Sequence, residues 1–117
     1  MATREESEIQ IILKQIENYY GFVPKIFQEL QFNAEAFKAF FYKTLQLQAD
    51  HALPDVTKEL IAIGAAAAGG TEHCLLTHIK VARKIGAQDD QILLAILIGA
   101  AVTETSALSK SLRVWRE

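Results

Sequence analysis

Cys74 and His78 lie four residues apart. On a helix that spacing puts both side chains on one face with Cβ atoms about 6 Å apart, close enough for a thiol–imidazole pair. Thr71 precedes them as a helix cap, so Cys74 falls in a first turn where unpaired backbone N–H groups and the positive end of the helix dipole favour a thiolate. The same face continues through Val81, Ala82 and Ile85, which predicts a partly apolar crevice around the pair. Glu59 stands on the preceding helical stretch in line with Ala62, Ile63 and Ala66, an unusual aim for a carboxylate. If Gly69-Gly70 folds the chain back on itself, Glu59 lies about 15 Å and His78 about 11 Å from the turn, at a helical rise of about 1.5 Å per residue. The two can then meet. An acid that orients a histidine, which takes a proton from a nucleophile, is the general arrangement of acid, base and nucleophile. His73, beside Cys74, is a candidate second proton carrier.

Plainer readings of the same residues stand beside this one. A small cysteine in an alanine-rich core is commonly inert, and a single histidine is commonly a hydrogen-bonded core or surface group. Cys74, His78 and Glu59 also offer three ligands for a metal with an open fourth position. One sulfur and no evident residue to orient the ligands argue against that, and neither a metal nor another cofactor is expected. Glu5, Glu6, Glu8, Asp89 and Asp90 read as solvated or dipole-favouring acids.

The elements that must position these side chains are helical. Ile9, Ile12, Leu13 and Ile16, followed by Tyr19 or Tyr20, recur at helical spacing until Gly21 and Pro24 end the run. Pro24 suits the first position of a short helix to about Leu30. Asn33 is the expected cap of a third helix with the stripe Phe37, Phe40, Phe41 and Leu45. A fourth helix restarts at Pro54-Asp55 and runs to Ala68, where Gly69-Gly70 stops it. Thr71 caps a fifth over residues 72–85, ended by a left-handed Gly86. Asp89 and Asp90 open a final helical region over 91–113 with a break expected around 103–106. No stretch alternates as a strand does, so the fold class is all-α. Aromatic residues between 19 and 42 could line a ligand crevice, although at this spacing they are more often core, and Trp115 packs on a neighbour or lies free.

With 117 residues, 50% of them apolar and 22% charged, residues 1–117 are expected to form a single domain with a thin core. Residues 65–68 and 92–102 are apolar on every face, which burial in an interface between copies explains more simply than a monomer does. Gly64, Ala65, Ala68 and Gly99 would let helices approach closely. Twelve Lys and Arg against fourteen Asp and Glu leave a net charge of −2, with no basic excess to neutralise phosphates or an anionic leaflet, so neither nucleic acid nor a membrane is an expected partner. The 11-residue apolar run at 92–102 is shorter than the roughly 20 residues of a bilayer crossing. A single cysteine excludes an internal disulfide and fits a reducing cytoplasm, and the acidic first residues lack the basic start of an export signal.

Lys58-Glu59-Leu60-Ile61, then Gly69-Gly70-Thr71-Glu72-His73-Cys74 and His78-Ile79-Lys80-Val81-Ala82, resemble the carboxymuconolactone decarboxylase and alkylhydroperoxidase D-like superfamily. Gly86-Ala87 before an acidic helix start is similar to the family's following segment. Tyr20-Gly21-Phe22-Val23-Pro24 with Ile26-Phe27 looks like the start of its small members, so the likeness covers about residues 19–102. The resemblance implies a bundle of about five to seven helices that assembles as homo-trimers or homo-hexamers. In the redox-active branch, Glu is followed after eleven residues by Cys, after two by a second Cys and after three by His. The matching positions here are Glu59, Thr71, Cys74 and His78. By that likeness Cys74 is the surviving thiol, His78 its base and Glu59 the orienting acid, while His73 matches a histidine found between the two cysteines in some members. Thr71 is the departure, because no internal disulfide can close without a thiol there.

Three readings follow, the redox one first. Cys74 is oxidised by a hydroperoxide and resolved by an external thiol or a second Cys74. Alternatively, Glu59 and His78 do acid–base work on a carboxylated lactone, with Arg83 or a neighbouring subunit holding the carboxylate. In the third, the chain is a helical assembly protein and the motif is a relic.

Overall fold

Helix α1 (Arg4–Tyr20) starts where Thr3 Oγ1 accepts from the Glu6 N–H at 3.0 Å and the Glu6 carboxylate accepts from the Thr3 N–H at 3.1 Å. This reciprocal cap satisfies two donors that a helix start leaves unpaired. The structure, a computed structural model, describes residues 2–117. Among these there are six helices and no strand, as the all-α expectation has it. The chain divides into two compact units, the first ending at Leu53 and the second beginning at Pro54.

In the first unit, α1 is followed by α2 (Lys25–Leu30) and α3 (Ala34–Ala49). Pro24 is the residue just before α2 rather than its first helical position. Asn33 caps α3 as expected, its side-chain oxygen accepting from the Ala36 N–H at 3.1 Å. Ile9, Ile12, Ile16, Phe27, Phe37 and Phe41 form the core. Phe40 and Leu45 depart from the expected stripe and stay about 40% exposed. At about 100° per residue they sit roughly 60° and 80° to either side of Phe37, outside the line that α3 turns inward.

The second unit holds α4 (Asp55–Gly69), α5 (Glu72–Lys84) and α6 (Asp89–Trp115). Between α4 and α5 the chain turns at Gly70, whose φ of +66° is a left-handed conformation that costs glycine little. The Thr71 N–H reaches Ala66 O at 3.1 Å and the Gly70 N–H reaches Ala67 O at 3.3 Å, a Schellman end that closes α4. The same pairing ends α5, with Ala87 N–H on Ala82 O at 2.8 Å and Gly86 N–H on Arg83 O at 3.2 Å. Ala82 and Ala87 are buried together with Ile63 and Ile92, and this cluster is the unit's core.

Two expectations change here. Thr71 stands at the cap position of α5 but makes no side-chain cap bond. Its hydroxyl donates back to Ala66 O at 3.3 Å, because the residue is already engaged in closing α4. Helix α6 runs unbroken for 27 residues through 103–106. The hydroxyls there serve the helix instead of interrupting it, Thr103 donating to Gly99 O at 3.3 Å and Thr105 to Ala101 O at 2.9 Å. The unbroken helix carries the apolar stretch well past its 11-residue run. By length and composition alone α6 could cross a membrane.

Helices α4 and α6 meet at glycine. A methyl group placed on Gly99 would collide with the Gly64 carbonyl, and one placed on Gly64 would lie 3.2 Å from Ala95 O. The close approach expected of these small residues is thus made between helices of one chain.

Candidate functional site

The α4–α5 turn brings Glu59 and His78 together, with Glu59 Oε2 2.7 Å from His78 Nδ1. Glu59 is only 8% exposed and shares its buried face with Ile63 and Ala66. An ionised carboxylate oxygen only accepts, so paired with an ionised Glu59 it is Nδ1 that carries the hydrogen of this bond, which in a neutral imidazole leaves Nε2 as the acceptor nitrogen. His78 is half-buried, so the ring is held by the acid on one edge and meets solvent elsewhere. That is the orientation a general base requires. No buried side-chain nitrogen or oxygen among the described residues lacks a partner.

Cys74 is the third residue of α5 and is exposed. It lies one helical turn before His78 on the same side of α5, and among the described residues its sulfur makes no hydrogen bond. His73 is exposed too, with its backbone carbonyl accepting the Thr77 hydroxyl at 2.9 Å. The structure therefore joins Glu59 to His78, leaves Cys74 open to solvent beside them, and places His73 at the surface. Arg83, considered as a carboxylate holder, is 3.4 Å from Asp89 across the α5–α6 corner. Among the described residues no three His, Cys, Asp or Glu side chains converge as a metal-binding group.

What sequence reasoning missed is the double duty of Thr71, which ends one helix while standing at the head of the next. The available signal was its place directly after Gly70, where a chain leaving a left-handed glycine hydrogen-bonds back into the helix it has just ended.

The model of the carboxymuconolactone decarboxylase family matches residues 33–117. The match takes in α3 to α6 and with them Glu59, Cys74 and His78, whereas Tyr20-Gly21-Phe22-Val23-Pro24 falls before it. No curated protein and no solved structure matches the chain.

Proposed function

Since the chain belongs to the carboxymuconolactone decarboxylase family, we propose that its Glu59–His78 pair handles protons for Cys74 in a one-cysteine hydroperoxide reductase. His78 takes the Cys74 thiol proton, and the thiolate attacks the terminal, hydroxyl-bearing peroxide oxygen. The O–O bond breaks, sulfur is oxidised to a sulfenic acid, and the alkoxide leaves as the alcohol with that proton returned from His78. An external thiol condenses with the sulfenic acid, releasing water and leaving a mixed disulfide. A second thiol then restores Cys74 and carries the oxidising equivalents away as a disulfide. The observation that carries this reading is the 2.7 Å bond that holds His78 one turn from an exposed thiol. The test is trapping of sulfenic acid after one equivalent of an organic hydroperoxide. Wild type should form the adduct, Cys74→Ser should not, and His78→Ala should form it at least tenfold more slowly. An unreactive Cys74 in wild type overturns the proposal.

One observation favours a second reading. Nothing ties Cys74 to His78, so the dyad is equally able to move a proton on a bound carboxylated lactone without the thiol. Lactone turnover that survives Cys74→Ala and is lost in His78→Ala selects that reading.

Either chemistry is proposed to operate in an assembly of copies of the chain. Leu94, Leu97, Ile98, Val102, Leu108 and Leu112 on α6 are each more than half exposed. An apolar stretch of this extent on a protein in water marks an interaction surface, and a second copy of α6 offers a matching one.

A further inference from the structure

The first unit holds a cavity of about 340 Å³ that takes no part in the chemistry above. It opens between the carboxy-terminal halves of α1 and α3. Tyr19 and Tyr20 stand on one side, Phe41 on the other, and the 2% exposed Phe27 is at the floor. The rings already meet edge to face, Tyr19 with Tyr20 at 4.8 Å and 87°, and Phe27 with Phe41 at 6.5 Å and 74°. Such a lining rewards a further planar ring, which can offer its edge or its face to each neighbour.

Polar groups sit along the same walls, with Gln15 on α1 and Thr44 and Gln48 on α3. Gln48 Nε2 donates to Tyr20 Oη at 3.3 Å, bridging the two walls. Amides and hydroxyls of this kind orient a ligand that has a hydroxyl or carbonyl of its own. Equally informative is what the lining lacks, since none of its residues is Asp, Glu, Lys, Arg or His. A charged ligand would shed water here with no opposite charge to replace it. The volume lies at the lower end of the roughly 300–1,000 Å³ typical of small-molecule sites.

From these observations we infer that the cavity between α1 and α3 is a binding site for a small, neutral, planar ring compound bearing one hydroxyl or carbonyl group. The inference does not rest on the reductase reading, because every lining residue precedes Pro54 and none belongs to the Glu59–His78–Cys74 site.

The test uses the full chain and two probes of the same ring system, neutral 1-naphthol and charged 1-naphthoate, with binding followed by protein NMR. Naphthol should cause saturable shifts centred on Tyr19, Tyr20 and Thr44, and naphthoate should bind at least tenfold more weakly. Leu45→Trp, at the mouth, should weaken naphthol at least tenfold while circular dichroism stays helical. Gln15→Trp blocks the opposite wall and serves if the first variant does not fold. Absence of saturable shifts, equal binding of naphthoate, or unchanged naphthol binding in a folded blocking variant overturns the inference. So does movement of these same signals with protein concentration alone, which would make a second copy the occupant.

Discussion

Replacing Gly99 by alanine tests the close crossing of α4 and α6. The added methyl would run into the backbone carbonyl of Gly64, and backbone cannot swing aside as a flexible side chain can. Helices α4 and α6 would have to separate, loosening the packing of fully buried Ile63 and of Ile92. Overpacking of this kind costs about 1–3 kcal/mol, and a backbone obstacle puts it near the top of that range. Alanine returns about 1 kcal/mol through its better helix propensity. The net expectation is a loss of about 2 kcal/mol, or on the order of 6–12 °C in melting temperature for a chain of this size. Gly69→Ala is the matched control, because its methyl would meet only Thr71 Cγ2 at 3.9 Å. That variant should be neutral or slightly stabilised. Urea unfolding at one fixed protein concentration reads both, so that any self-association contributes equally. A Gly99→Ala protein as stable as wild type would refute the reasoning, for it would mean that the helices do not cross where these glycines stand.

The remaining expectations concern the site and its surroundings. His78→Ala leaves the Glu59 carboxylate buried without its partner and should cost about 1–3 kcal/mol in denaturant unfolding, whereas replacing both Glu59 and His78 by leucine should restore most of that loss while abolishing turnover. Thr71→Cys puts a second thiol three residues before Cys74, and mass spectrometry after mild oxidation should find an internal disulfide together with faster peroxide consumption. An oxidised variant without that disulfide would show the motif alignment to be wrong. Leu97→Glu on exposed α6 should lower the solution mass measured by light scattering if copies pack there, and an unchanged mass would remove α6 from the interface. Partition of the wild-type chain into neutral lipid vesicles, abolished by the same substitution, would assign the helix to a bilayer instead.

Much of the site was legible because it depends on local rules. Spacing alone put Cys74 and His78 on one face, and the glycine pair after Ala68 announced the turn that carries Glu59 back to His78. The errors arose where one residue answers to two elements or where tertiary packing decides. Thr71 has the chemistry of a cap, but a single hydroxyl cannot serve both helices, and the Schellman end of α4 claims it. Residues 103–106 hold two threonines and a serine, types that hydrogen-bond locally, yet without Gly or Pro the helix passes through and takes up the threonine hydroxyls. The aromatic cavity was legible only as an alternative to core. Tyr19, Phe27 and Phe41 recur as core residues do, and only the spacing of α1 and α3 leaves room between them.

The pairing of Glu59 with His78 bears on function because it is a poor way to make a core. Burying a carboxylate sacrifices hydration that one 2.7 Å hydrogen bond repays only in part, and an apolar pair of similar volume would serve stability at least as well. Neighbouring buried positions follow the apolar rule, with Ile63 and Ala66 continuing the very face on which Glu59 lies. The departure falls at one position, and the acid there meets the one histidine one turn from the only cysteine. Structural needs account for Ile63 and Ala66; they do not account for Glu59. The proposed proton transfer would account for it, since an imidazole that works as a base needs an acceptor on its other nitrogen to hold its tautomer, and shielding that acceptor from water keeps its aim.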